Sequence, residues 1–258
     1  MHARILVSLL LSVLFVAPAM ASGERVKIEG EAYRPFYPAE EGERITVRDF
    51  LLDATPVTNA QFLAFVREHP RWQRGAVIGL FADDSYLSHW PDVLSVAGIE
   101  QQPVVRVSWF AARKYCEAHG GRLPTEAEWE FVVRADPEKK DATRDPAYNQ
   151  RMLNFYSTPG GQAPAEVGQD TPNYWGVHNM VGLIWEWVED YNASIVTGDN
   201  RQTGDEQNAM FCGGAAATAD NTREYATFMR YAFRSSLKPA FTLKNLGFRC
   251  AYPLPARR

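Results

Sequence analysis

Polar and apolar residues alternate through the first ordered part of this chain. Between residues 24 and 55 the side chains change character at nearly every step, as they do over residues 44–50 (RITVRDF). A period of two residues is typical of a β-strand with one buried face. The sequence therefore predicts strands in this segment.

The pattern then changes to a helical period, and the helix starts carry recognisable capping residues. Thr58 followed by Gln61 forms a capping box, which predicts a helix over about residues 59–68. In that helix Phe62, Phe65 and Val66 share one face. The predicted helix ends near Pro70, because proline cannot continue a helix.

Two further helices are predicted from their caps. Ser108 is placed to cap a helix that runs through about His119 and ends at two glycines. Thr125 with Glu128 is a second capping box, which opens a helix over about residues 126–134. The side chains expected to face inward there are Trp129, Val132 and Val133.

The remaining segments show little helical periodicity. Residues 70–102 are predicted to form a long surface loop, the kind of segment in which recognition often occurs. Residues 104–107 are predicted to form a short strand, residues 135–175 mostly loop, and the chain from about Trp185 onward strand-like or irregular structure. Few helices among long loops and short strands indicate a single α+β domain.

The N-terminus is typical of an export signal. Residues 5–16 are apolar apart from two serines, and Ala19-Met20-Ala21 matches a small-residue cleavage pattern. We predict a signal peptide over residues 1–21, a mature domain over residues 22–258, and a periplasmic or secreted protein. The alternative is a membrane anchor, for which the apolar run is short.

Composition and charge exclude some classes of partner. The chain has 258 residues and a formal net charge of −4, which argues against nucleic acid or an anionic membrane as a partner. None of the five histidines stands at metal-ligand spacing. The three cysteines are Cys116, Cys212 and Cys250; in an oxidising compartment two could pair and leave one over.

Five motifs resemble those of the formylglycine-generating enzyme (sulfatase-modifying factor) family, in that family's order. They are residues 55–62 (TPVTNAQF), 103–109 (PVVRVSW), 121–131 (GRLPTEAEWEF), 181–190 (VGLIWEWVED) and 245–250 (NLGFRC). The resemblance spans roughly residues 44–252. It implies a compact α+β domain with little regular secondary structure, related to the C-type-lectin-like architecture.

The resemblance also implies a calcium site. Asn179 and Glu186 would supply side-chain oxygens, and Gly182 and Ile184 would supply carbonyls, which suits a hard cation. Leu183 stands where the family commonly has asparagine. The alternative is a metal-free turn with Glu186 in a salt bridge. A second family site would use Asn154 and Phe155, but the segment downstream of them is short and poor in acids.

The cysteines separate this chain from active members of the family. The resemblance implies a disulfide between Cys116 and Cys250. Active members bind copper through two further cysteines between a Gly-Gly-Ser segment and the terminal Gly-Phe-Arg-Cys, since thiolates suit that soft ion. Here the interval from Gly213 to Arg249 contains no cysteine. Copper and formylglycine generation by this route are therefore not expected.

Several residues remain as candidates for chemistry. Cys212 could be a nucleophile, a metal ligand, an intermolecular disulfide partner or an inert buried residue. Trp185 matches a tryptophan that family members place beside the active-site groove. Other candidates lie near the missing cysteines: Glu224 as a general base, and Arg223, Arg230 and Arg234 as carboxylate-binding groups, with a salt-bridged surface as the alternative.

Two functional hypotheses follow. The first is an exported accessory or maturation factor for a periplasmic system. The second is a periplasmic oxidoreductase with altered chemistry, resembling the cysteine-free oxidase of pyoverdine maturation. Either hypothesis predicts a protein, peptide or small-molecule ligand in a surface groove.

Overall fold

A three-stranded antiparallel sheet joins the two ends of the chain. The computed structural model describes residues 23–35, 44–157, 163–192 and 222–255. Strand β4 (Phe50–Asp53) lies between β1 (Arg25–Ile28) and β7 (Ala251–Tyr252). Leu52 pairs with Val26 on one side and with Ala251 on the other. Strands from near the two ends of the chain thus lie in one sheet.

Two short strand pairs complete the described β-structure. Strands β2 (Ala32–Tyr33) and β3 (Ile45–Thr46) are antiparallel, and β5 (Trp185–Glu186) runs parallel to β6 (Leu246–Gly247). The strands predicted near the N-terminus are confirmed. The strand predicted for residues 104–107 is wrong: Arg106 has φ of 51°, which breaks an extended strand, and its amide bonds to the Leu243 carbonyl of a loop.

Three helices begin and end close to the predicted positions. They are α1 (Asn59–Glu68), α2 (Trp109–Ala118) and α3 (Glu126–Val133). Both predicted capping boxes are present, at Thr58 and at Thr125. Each cap satisfies two amides that a helix start leaves without partners, so the local sequence alone fixes these starts.

Two helices were not predicted. Helices α4 (Pro146–Ser157) and α5 (Thr222–Ser235) lie where the sequence had suggested loop or strand-like structure, so those predictions are wrong there. The two helices pack against each other. Asp145 caps α4, since its side chain accepts the Ala147 amide at 2.8 Å and Pro146 is the first helical residue.

The core is aromatic, and a disulfide crosses it. Phe62, Tyr115 and Phe248 are buried with their ring centroids within 5.3–6.0 Å of one another. Beside them Cys116 and Cys250 form the disulfide that the family resemblance implies, closing a sequence separation of 134 residues. A link over so long a loop is expected to stabilise the fold by a few kcal/mol.

The architecture is the predicted α+β class with little regular secondary structure. Within the part of the chain that the structure describes, no helix is long and apolar enough to cross a membrane. The predicted signal peptide, residues 1–21, lies outside the described residues.

Candidate functional site

A buried ion pair, which we call the frame pair, joins Glu186 on β5 to Arg249 near the C-terminus. The guanidinium donates to both carboxylate oxygens, from Nη2 to Oε1 at 2.8 Å and from Nε to Oε2 at 2.9 Å. Its other N–H groups donate to the carbonyls of Asp53, Ala54 and His178. Both side chains are almost completely buried, so the pair depends on these surrounding acceptors.

A second buried cluster, which we call the helix cluster, ties α3 to α5. It consists of Glu126, Glu130, Arg230 and Arg234. The Arg230 guanidinium donates to both oxygens of the Glu130 carboxylate, from Nε to Oε1 at 2.8 Å and from Nη2 to Oε2 at 2.6 Å. Arg234 donates from Nη1 to Glu126 at 3.1 Å and to Glu130 at 3.2 Å. Residues four apart on each helix thus meet across the interface.

The two carboxylates of the helix cluster differ in their electrostatics. Burial by itself would raise the pKa of Glu130, but the two arginines that bind it hold that pKa below its usual range. Burial raises the pKa of Glu126 to about 7, and the charge and hydrogen bond of Arg234 offset only part of that effect. Near neutral pH the cluster therefore has one firmly ionised carboxylate and one that titrates.

Trp129 connects the two clusters. Its indole N–H donates to Glu186 Oε2 at 2.8 Å, which completes the frame pair. The Arg234 guanidinium lies 4.3 Å from the ring centroid, a cation–π contact with the helix cluster. One buried tryptophan of the 121–131 motif thus packs between two ionic groups.

Trp185, the candidate groove tryptophan, is half-buried beneath helix α5. The Phe233 ring lies 4.1 Å from it between centroids, and the Tyr156 ring of α4 lies at 4.9 Å. Arg230 donates to the Tyr156 hydroxyl at 3.3 Å. The helix that brings Arg230 to Glu130 therefore also covers Trp185.

Two of the predicted carboxylate-binding arginines, Arg230 and Arg234, are thus bound to the internal carboxylates Glu126 and Glu130. Arg223 and Glu224 lie on α5, at a part of the helix whose side chains are outside the description. Cys212 also lies outside the described residues. Their predicted roles remain untested.

Three of the predicted calcium ligands, Asn179, Gly182 and Ile184, lie on the turn that leads into β5, and Glu186 lies on β5 itself. Asn179 has φ of 56° and Gly182 has φ of 100°, so the backbone bends sharply there. The Asn179 side-chain oxygen accepts the Gly168 amide at 2.7 Å. Both Glu186 oxygens are taken by Arg249 and Trp129, the salt-bridged alternative stated above. A calcium ion using Glu186 does not fit this arrangement without displacing Arg249, and the calcium site stays a prediction.

Sequence reasoning missed Glu126 and Glu130, the partners of the arginines. The available signal was the position of Glu130 inside an apolar run, between Trp129 and Phe131. A carboxylate in such a run requires a buried cation. Glu126 follows because it lies one helical turn earlier on the same face.

Comparison with known proteins identifies the family. The sequence model of the sulfatase-modifying factor enzyme 1-like domain family matches residues 20–254, so the chain belongs to this family. It is 32% identical over 279 residues to the formylglycine-generating enzyme of Streptomyces coelicolor, covering 86% of this chain and 85% of that protein.

Two other relatives extend the comparison. The inactive C-alpha-formylglycine-generating enzyme 2 of Bos taurus is 29% identical, with 80% of this chain and 78% of that protein covered. The solved structure of CarF superposes with a TM-score of 0.50 at 17% identity, covering 91% of this chain and 99% of that one. The CarF likeness concerns the fold alone.

Proposed function

We propose that this protein is an exported accessory or maturation factor that keeps the family's fold without its two-cysteine chemistry. One observation carries the proposal. The chain has three cysteines, and Cys116 and Cys250 are bonded to each other, so Cys212 is the single remaining thiol. A copper site built from two thiolates of one chain cannot form from one cysteine.

The internal pairing of the arginines supports the same proposal. Arg230 and Arg234 would have to leave Glu126 and Glu130 to bind a substrate carboxylate. That would leave buried carboxylates without their cations, which costs several kcal/mol. The bovine relative whose name describes it as inactive is compatible with a family that also contains noncatalytic members.

The first experiment tests for residual thiol chemistry. The purified protein and its Cys212→Ser variant are titrated with Cu(I) and incubated with oxygen and a cysteine-containing sulfatase peptide. The Streptomyces coelicolor enzyme serves as the positive control. We expect no formylglycine, and the same copper titration for both forms. Peptide oxidation that is lost in the variant would overturn the proposal.

A second experiment addresses the accessory role in cells. The gene is deleted, and exported proteins are compared for immature forms with and without complementation. Complementation by Cys212→Ser as complete as by the natural chain is the expected result. If only the natural chain complements, Cys212 acts chemically and the oxidoreductase hypothesis replaces this one. Cell fractionation of the complementing protein tests export in the same strains.

A further inference from the structure

A concave basic surface, which we call the arginine cleft, lies beside the β2–β3 pair. It has a volume of about 420 Å³ and is formed by residues next to these strands and by the segment that follows α3. Five cationic side chains line it, and two carboxylates accompany them. The cations are Arg34, Arg44, Arg134, Lys140 and Arg144, and the carboxylates are Glu31 and Asp141.

Among the described residues, most of these cations have no ion-pair partner. Asp141 pairs with Arg134, and Glu31 is the other described carboxylate that lines the cleft. Arg34, Arg44 and Arg144 form no ion pair among the residues that the structure describes. The whole chain carries a formal net charge of −4, so the cleft is a positive surface on an acidic protein. A cluster of positive side chains attracts anionic ligands even on a protein whose net charge is negative.

The wall of the cleft is held in place by its own hydrogen bonds. Asp141 accepts bonds from the Thr143 amide at 3.0 Å and from the Thr143 hydroxyl at 2.5 Å while it holds Arg134. The Arg134 guanidinium lies 4.9 Å from the Tyr33 ring centroid, and Lys140 lies at the same distance from Trp175. The Arg44 guanidinium donates to the Ala32 carbonyl. These contacts limit the entropy that ligand binding would remove.

We propose that the arginine cleft binds a small molecule carrying a phosphate or sulfate ester. Guanidinium groups present forked N–H donors that match tetrahedral oxyanions, and several of them together favour a multiply charged group over a carboxylate. The volume is within the range of small-molecule sites. This site is distinct from the Trp185 region and does not depend on whether the protein is catalytic.

Calorimetric titration of the purified protein tests the proposal with three probes: inorganic pyrophosphate, glucose 6-phosphate and glucose 6-sulfate. We expect saturable binding that weakens as salt increases, and the two esters show which source of oxyanion is preferred. Substituting Arg34→Gln and Arg144→Gln is expected to lower affinity about tenfold for each arginine. Both side chains are exposed, so each variant is expected to fold. Thermal melting checks this.

A substitution outside the cleft serves as the first control. Lys244→Gln removes an exposed cation outside the cleft and should leave affinity unchanged. Absence of saturable binding, or binding that the two arginine substitutions do not change, would overturn the proposal.

The chain between Pro35 and Arg44 supplies a second control, because its sequence contains Glu40, Glu41 and Glu43. If only the variant with all three changed to glutamine bound the probes, the chain's own acids would be the natural occupant. That result would also contradict a site for an external ester.

Discussion

The frame pair and the helix cluster are both buried and ionic, yet they differ in how completely their polar groups are satisfied. In the frame pair, Arg249 contacts Glu186 and three carbonyls, and Glu186 also accepts from Trp129. In the helix cluster, the Arg234 Nε atom is buried with no partner among the described residues.

This difference separates a rigid part of the molecule from a part whose stability responds to conditions. A fully satisfied buried network specifies one arrangement, whereas a partly satisfied one lowers the free energy of unfolding. The frame pair lies beside the disulfide and the first sheet, where the chain ends meet. The helix cluster attaches α5, which covers Trp185.

The largest expected effect is in the frame pair. Replacing Arg249 by methionine keeps much of the side-chain volume but leaves Glu186 buried without its cation. We expect the free energy of unfolding to fall by about 3–5 kcal/mol, measured by urea denaturation. Lys244→Met, an exposed substitution, is the matched control and should change it little. A loss below about 1 kcal/mol would show that the frame pair is not the rigid element.

The disulfide is the second test of the rigid part. The double substitution of Cys116 and Cys250 by serine should lower the free energy of unfolding by about 2–5 kcal/mol, because the unfolded chain gains conformational freedom. Reduction of the natural protein should have a similar effect. Cys212→Ser is the control, and its melting temperature should match the wild type within about 2 °C. Equal destabilisation by Cys212→Ser would indicate a different pairing.

Local signals in the sequence were sufficient for helix starts and insufficient for contacts between distant segments. Thr58 and Thr125 fix helix starts through bonds to residues three positions away, so α1 and α3 were predictable. Helix α5 depends on Glu126 and Glu130, about a hundred residues earlier in the chain, and no local pattern contains that information. Arg230 and Arg234 therefore resembled ligand-binding groups when only their neighbours in sequence were considered.

Contacts between distant segments also limited what could be predicted around the frame pair and the disulfide. The Cys116–Cys250 disulfide came from the family resemblance, because three cysteines alone leave the pairing open. The strand predicted at residues 104–107 was wrong since the left-handed conformation of Arg106 is imposed by contacts with distant loops. The two alternatives for Glu186 could not be distinguished without the position of Arg249.

The pH dependence of stability should distinguish the two clusters. Burial raises the pKa of Glu126 from 4.5 to about 7, so between those values the folded state binds more protons than the unfolded state. Stability should therefore fall as pH rises through this window, by at most about 3 kcal/mol. In Glu126→Gln that contribution disappears, and the difference between the two curves, measured by denaturation at several pH values, isolates it.

A second titrating group has to be separated from Glu126 in this measurement, and a control variant is needed. Asp53 also has a raised pKa, about 6, because it is buried, so the wild-type curve alone is not diagnostic. Glu138→Gln removes an exposed carboxylate near α3 and should leave the pH dependence of the wild type intact. If Glu126→Gln gave the same pH dependence as the wild type, folding would not raise the pKa of Glu126, and the helix cluster would not be the pH-sensitive part of the molecule.

The smallest effect is expected where α5 covers Trp185. Phe233 is only partly buried, so Phe233→Ala should lower the free energy of unfolding by about 1–2 kcal/mol, less than the 3–5 kcal/mol expected for Phe62→Ala in the core. Tryptophan fluorescence should shift to longer wavelength as Trp185 becomes hydrated, and Trp185→Phe should abolish that shift. If Phe233→Ala cost as much as Phe62→Ala, α5 would be an integral part of the core. A small cost with a clear spectral shift would instead identify α5 as a cover that can be displaced while the disulfide-linked frame stays folded.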